Sequence, residues 1–406
     1  MKKIYLAIGL IMLFLRGKSQ QEDSTFQKKE IPKTDIELVF SYYNQDGEHS
    51  AVTGGTGTEE LTVYAPGVKW SRALKNKQKL SIQAGSDFIT SASTDNIDFV
   101  RSSASMHDAR SYANVNYERP LKKTDLTWGI GSGFSLESDY LSFPLKLSMV
   151  YQTPDQLRTY EVSFQAFFDD LRWGRLDVDY KRPALLVYPI ELRTQEWSDT
   201  YLRNSYNVQL GLTQVINQRL IAGVFPAISY QKGILSTPFH RVYFNDETLK
   251  VERLPGERLK LPIGLRLNYF LGGRTILKGS YGFYWDTFGI VGHGIELETA
   301  IKLSPVLTII PFGRIYSQSS ADYFAETGQH LPEAAYYTSD YDLSAFQSYK
   351  AGISVRYAPL DYWTREFLFN EIRIRYAFYR RSDELQAHII SFSMSFSLFR
   401  KEETSK

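Results

Sequence analysis

Apolar side chains recur at every second position over much of this chain. Between positions 390 and 398, Ile390, Phe392, Met394, Phe396 and Leu398 share one face, and Ser391, Ser393, Ser395 and Ser397 share the other. Leu141, Phe143, Leu145, Leu147, Met149 and Tyr151 repeat the pattern against Ser142, Pro144, Lys146 and Ser148. The same holds for Leu261, Ile263, Leu265, Leu267 and Tyr269, and for Tyr160, Val162, Phe164 and Ala166. A period of two is a strand signal, because helical spacing would scatter these residues around a cylinder. Read throughout, the pattern predicts sixteen strands: 35–43, 59–70, 78–88, 109–119, 124–135, 139–151, 157–169, 200–213, 218–230, 258–270, 274–286, 292–303, 306–317, 346–357, 367–379 and 386–399. Most are longer than the five or six residues usual in soluble sheets and suit a tilted crossing of a bilayer.

The connections separate into two sets. Alternate ones are compact and carry Pro, Gly, Lys or Asn: 71–77, 120–123, 152–156, 214–217, 271–273, 304–305 and 358–366. The opposite set contains the long stretches 44–58, 89–108, 170–199, 231–257 and 318–345, with three short turns near Glu137, Gly289 and Arg381. Short turns on one side and long loops on the other predict an all-β transmembrane antiparallel barrel of about sixteen strands, with periplasmic turns and extracellular loops. A secreted β-sandwich is the alternative fold. Leu398 and Phe399 end the last strand on an aromatic, the kind of segment that barrel-assembly machinery reads, and a polar tail (400–406) follows.

The first nineteen residues read as a secretory signal. Lys2 and Lys3 precede an apolar run from Ile4 to Leu15, and Gly17 and Ser19 are small residues spaced for cleavage before Gln20. Residues 20–34 then form a polar lead-in to a barrel expected over 35–399. The chain has 406 residues, 28 Tyr, 25 Phe and 6 Trp, yet its mean hydropathy is negative, as expected where every second strand residue meets lipid and the others meet water. Losing the signal removes Lys2, Lys3, Arg16 and Lys18 and turns a formal charge of +2 into −2, which gives no footprint for nucleic acid. Without cysteine there are no disulfides, thiolate metal sites or covalently attached haem, and no cofactor is implied.

Candidate chemistry lies in the lumen and the loops. Lys146, Glu161, Arg266, Glu296, Glu298, Arg356, Glu371, Arg373 and Arg375 fall on the face opposite the apolar one. These charges either line an aqueous pore or pair across the lumen and seal it. Asp95, Asn96 and Asp98, with His107 in the same long loop and His49 in the neighbouring one, are candidate metal ligands. Their spacing matches no EF-hand, and Asp and Asn also serve turns. Asp169, Asp170, Arg172, Trp173 and Arg175 are candidates for ligand or partner contact; the alternative is an aromatic girdle with charges above it. The adjacent pairs His49–Ser50 and His107–Asp108 are the local candidates for a rim enzyme, but no G-x-S-x-G, H-E-x-x-H or phosphate loop is present, and no catalytic residue is assigned. Gly54, Gly55 and Gly57 read as a mobile loop.

Three segments, 46–59 (DGEHSAVTGGTGTE), 91–98 (SASTDNID) and 168–175 (FDDLRWGR), resemble a family of outer-membrane proteins catalogued only as a domain of unknown function. That resemblance covers nearly the whole mature chain and brings no functional residues. It implies an association with extracytosolic redox systems and a periplasmic flavin transferase, in which the barrel would be a sheath or docking scaffold for a redox partner. The residues themselves point first to passage of small polar solutes through a lumen of porin width, in contact with outer-membrane lipid.

Overall fold

The computed structural model describes residues 33–91, 107–122, 124–137, 140–171, 202–237, 240–359, 361–364 and 366–399. The signal segment, the start of the lead-in and the polar tail lie outside them. Among the described residues there are twenty strands: β1 (Lys33–Asp46), β2 (Leu61–Ala73), β3 (Lys79–Ser91), β4 (His107–Pro120), β5 (Leu126–Leu136), β6 (Leu141–Gln152), β7 (Arg158–Asp170), β8 (Leu202–Asn217), β9 (Leu220–Gly233), β10 (Arg241–Tyr243), β11 (Leu249–Val251), β12 (Glu257–Lys260), β13 (Ile263–Gly272), β14 (Thr275–Trp285), β15 (Val291–Lys302), β16 (Leu307–Gln318), β17 (Phe346–Tyr357), β18 (Asp361–Thr364), β19 (Phe367–Arg381) and β20 (Gln386–Phe399).

Each wall strand pairs antiparallel with its neighbours, and β1 pairs with both β2 and β20 from Lys33↔Phe399 to Asp46↔Gln386. The sheet therefore closes on itself, which leaves no edge, the condition for crossing a membrane with strands. Among the described residues the wall has sixteen strands. β12 and β13 count as one, β18 is a short spur paired only to β19, and β10 and β11 form a separate hairpin. The break between β12 and β13 falls at Leu261 and Pro262. Proline has no N–H to give to the ladder, although its carbonyl still accepts from Ala227 N at 2.8 Å.

The two faces differ as the period-two pattern requires. Outward positions expose large apolar side chains that a soluble protein would bury: Ile315 is 70% exposed, Ile295 62% and Leu267 52%. Aromatics gather at both ends of this band. Trp363 stacks on Phe367 and Phe369 near the short turns, with Tyr117–Trp128 and Tyr151–Tyr160 at the same level; Tyr42–Tyr64 and Phe168–Tyr206 lie near the long loops. These are the two interfacial girdles of a transmembrane barrel. Leu147, near the middle of β6 and 45% exposed on the lipid face, gives a direct check of this assignment. Leu147→Arg is expected to cost about 2–4 kcal/mol at mid-depth. Lys146→Ala, one residue away on the inner face, is expected to change stability little. Urea unfolding in lipid vesicles measures both.

Most of the fully buried side chains lie in the loops and turns at the long-loop end, not in the wall. Phe244, Phe288, Glu252, Val242, Val251, Thr338, Asp286 and Ser339 are each less than 2% exposed. The hairpin β10–β11 stands in the connection between β9 and β12, where the alternation predicts only loop, and it packs against the β16–β17 loop through Arg253–Tyr337 and Phe244–His330 bridges. Its strands are three residues long, too short to carry a period. The glycine-rich turn after β1 is held rather than free: Thr327 Oγ1 donates to the Gly54 carbonyl, and any side chain at Gly54, where φ is +83°, would collide with Tyr243. Three long loops thus form one cap at the long-loop end.

Candidate functional site

Six of the nine lumen candidates pair along the wall. Lys278 Nζ meets Glu298 Oε1 at 2.7 Å, Arg375 reaches past two strands to Glu298 at 3.4 Å and Glu296 at 3.9 Å, and Glu371 receives both Arg356 (2.6 Å) and Arg373 (3.2 Å). Arg375 also lies 3.6 Å from the centre of the Phe312 ring. On the other half of the wall, Lys69–Glu37, Arg110–Asp87 and Arg203–Asp169 pair likewise. Such partly hydrated pairs are individually weak, but they fix side chains against the wall and keep them out of the bore.

Two cross-strand positions depart from this balance. Arg314 on β16 lies directly opposite Lys350 on β17, and Arg356 on β17 directly opposite Arg373 on β19. Like charges placed opposite each other destabilise a sheet. Arg314 and Lys350 form no ion pair with any described residue: Glu296, the cross-strand neighbour of Arg314, turns to Arg375. Both line a cavity of about 480 Å³ beneath the cap, with Tyr43, Glu59, Phe346 and Arg381.

The cap closes over this cavity through Arg381 at the top of β19. Its guanidinium pairs with Asp383 at 2.5 Å and with Asp342, donates to the Tyr341 carbonyl at 2.7 Å and lies 4.1 Å from the centre of the Phe346 ring. Gln318, at the end of β16, donates to the carbonyls of Asp342 (3.0 Å) and Ser344 (2.8 Å). The 340–344 turn is thereby seated on inward-facing residues of the wall. A second anchor is Asp286 in the β14–β15 turn. Its Oδ1 accepts from Phe288 N (2.9 Å) and Ile290 N (3.2 Å), and its Oδ2 from Tyr284 Oη (2.6 Å) and Arg258 Nε (2.9 Å). A third cluster joins His240, Glu252 and Asp340 within the cap. Burial alone would lower the His240 pKa, but the Glu252 and Asp340 carboxylates outweigh it and raise it to about 9.

Glu59, at the edge of the cavity, is a candidate for pH control of the mouth. Burial, reinforced by Asp342 and opposed by Arg381, pushes its carboxyl up from 4.5 to about 7. A raised acid pKa means that the folded mouth favours the protonated form. Its contribution is complete below about 4.5 and is lost as pH rises through about 7. Conductance measured from pH 5 to 9 is therefore expected to show a transition near pH 7 that Glu59→Gln removes.

The family described as protein of unknown function, DUF3570, matches residues 98–388. The chain belongs to the DUF3570 family. The matched stretch of this DUF3570 protein runs from ahead of β4 into β20, and it contains Arg314, Lys350, Arg381 and the His240 cluster. No curated protein matches the chain. Among solved structures it is similar to OccK1 (OpdK) of Pseudomonas aeruginosa, at 9% identity over 91% of this chain and 99% of that one, with a TM-score of 0.42. OccK2 (OpdF) of the same organism gives 8% identity over 91% and 98%, TM-score 0.41. A BenF-like porin from Pseudomonas fluorescens Pf-5 gives 10% over 90% and 99%, TM-score 0.42.

Strand register in this DUF3570 barrel puts Lys146, Glu161, Arg266, Glu296, Glu298, Arg356, Glu371, Arg373 and Arg375 on the face opposite the exposed apolar residues. Lys146, Glu161 and Arg266 form no ion pair with a described residue, and Arg266 stacks 4.7 Å from the Phe225 ring centre. His49 stacks on Tyr341 with ring centroids 3.9 Å apart, its Nδ1 3.1 Å from the Gly55 carbonyl. His107 begins β4; Asp95, Asn96 and Asp98 lie outside the described residues, as do Arg172, Trp173 and Arg175. Asp169 pairs with Arg203 and accepts from Ser142 Oγ at 2.6 Å, and Asp170 ends β7.

The alternation that turns Ile315 and Tyr349 outward marks Arg314 and Lys350 as inward, so the sequence carries a signal for both. His240, Glu252 and Asp340 carry no such mark, because their partners come from different loops.

Proposed function

We propose that this barrel lies in an outer membrane and passes small polar solutes, with a preference for anions. The cationic pair Arg314–Lys350 beneath the cap carries the reading. On β13–β19 the inward positions include Arg266, Lys278, Arg314, Lys350, Arg356, Arg373, Arg375 and Arg381 against Glu296, Glu298 and Glu371. The β1–β9 wall is nearly balanced by its own pairs. Excess positive charge on one wall, with Arg314 and Lys350 at the mouth cavity, raises the local concentration of anions and sets selectivity. The closed barrel of sixteen strands supplies a bore of channel width, and the seated 340–344 turn narrows the mouth at one end.

Liposome swelling with matched solutes tests this reading. A small monocarboxylate should enter faster than a cationic amine of the same size. Equal rates would remove the charge preference, and no entry of either would remove the passage itself.

A further inference from the structure

We propose that His240, Glu252 and Asp340 form a binding site for one first-row divalent cation of the zinc type, which clasps the β9–β12 loop to the β16–β17 loop. One donor atom from each of the three lies within 4.8 Å of the others. The backbone fixes this meeting. Glu252 N donates to the His240 carbonyl at 3.0 Å across the foot of the β10–β11 hairpin, so the two side chains stand together. Arg253 and Tyr337 exchange backbone hydrogen bonds of 3.0 and 2.7 Å, which brings Asp340 alongside.

The spacing is that of ligands around a common centre. His240 Nδ1 is 3.4 Å from Glu252 Oε1 and 3.6 Å from Asp340 Oδ2. A charge-assisted N–H···O contact closes to about 2.7–2.9 Å. Two ligands each about 2.1 Å from a tetrahedral ion stand roughly 3.4 Å apart. Glu252 is 1% exposed and held by neutral donors that leave it lone pairs, Thr237 N at 2.6 Å on Oε2 and Thr338 Oγ1 at 2.6 Å on Oε1. Groups of this kind orient ligating carboxylates.

Charge and donor type agree with the spacing. Among the described residues no Lys or Arg pairs with Glu252 or Asp340, so a proton on His240 balances only one of two carboxylates, whereas a divalent ion balances both. One imidazole nitrogen and two carboxylate oxygens suit zinc, with a fourth position for water; calcium and magnesium prefer oxygen alone. His240 and Asp340 keep 19% and 23% of their side chains exposed, which gives an ion a way in.

The test uses the full mature chain refolded in detergent, titrated with Zn²⁺ by calorimetry and with Co²⁺ as a visible-absorption probe. The expected result is one Zn²⁺ per chain, a Co²⁺ spectrum of low-coordinate type that Zn²⁺ abolishes, and a higher melting temperature with Zn²⁺. Asp340→Asn keeps the acceptor for Asp342 N and should fold, yet weaken binding at least tenfold; His240→Ala should do the same. His49→Ala should leave stoichiometry at one. Absence of stoichiometric Zn²⁺ binding by the wild-type protein overturns the proposal, and so does undiminished binding by folded Asp340→Asn and His240→Ala proteins.

Discussion

Asp286→Ala is expected to cost about 3–5 kcal/mol, the usual effect of removing one partner from a buried ion pair. Asp286 is 0% exposed, and its two oxygens serve Arg258, Tyr284 and two backbone N–H groups. The substitution leaves the Arg258 guanidinium, 4.3 Å from the ring centre of buried Phe288, without a counter-charge. It also frees the amides that shape the turn in which Gly289 takes φ +89°. Phe288 and Ile290 then lose their seat in the cluster with Leu254 and Ala321, so the cap should loosen with the turn. Asp286→Asn keeps an acceptor for Phe288 and Ile290 and should cost less. Urea unfolding of the refolded variants ranks the three proteins. Equal stability of wild type and Asp286→Ala would show that the cap does not depend on this anchor.

Replacing both Arg314 and Lys350 with glutamate is expected to turn anion preference into cation preference. The two positions face each other across β16 and β17 in the mouth cavity, so +2 becomes −2 within one narrow section. Rings and pairs of charge at a constriction govern which ion enters. Between β16 and β17 a like-charge pair replaces a like-charge pair, but Arg314→Glu also comes to lie opposite Glu296, so the variant should fold with somewhat lower stability. Reversal potentials across a salt gradient report the change. A variant that folds and still selects anions as strongly as wild type would place the selecting charges elsewhere.

The barrel was legible in the sequence because its solvent is split. Lipid on one face and water on the other impose a period of two on the wall strands, and the pattern at Ile390–Leu398 needs no tertiary information to be read. The turn asymmetry was legible for the same reason, since one side of the sheet is joined by the fewest residues that reverse it. The cap was not. His240 and Asp340 are a hundred positions apart, and the three-residue strands β10 and β11 leave no periodic trace. Asp286 only closes the predicted strand 274–286 and carries no mark of its own there; the bridge between Lys260 and Asp286 is what brings Arg258 beside it. His49, a candidate chosen for adjacency within one loop, contacts the Gly55 carbonyl and, from another loop, the Tyr341 ring. Loop chemistry depends on which loops meet, and sequence spacing within one loop does not report that.

The most direct test of the account is the reversal potential of single wild-type channels in a planar bilayer under a potassium chloride gradient. The account predicts steady, reproducible steps with a reversal potential displaced toward chloride. A folded protein that gives no steps, or steps that reverse on the potassium side, would contradict it.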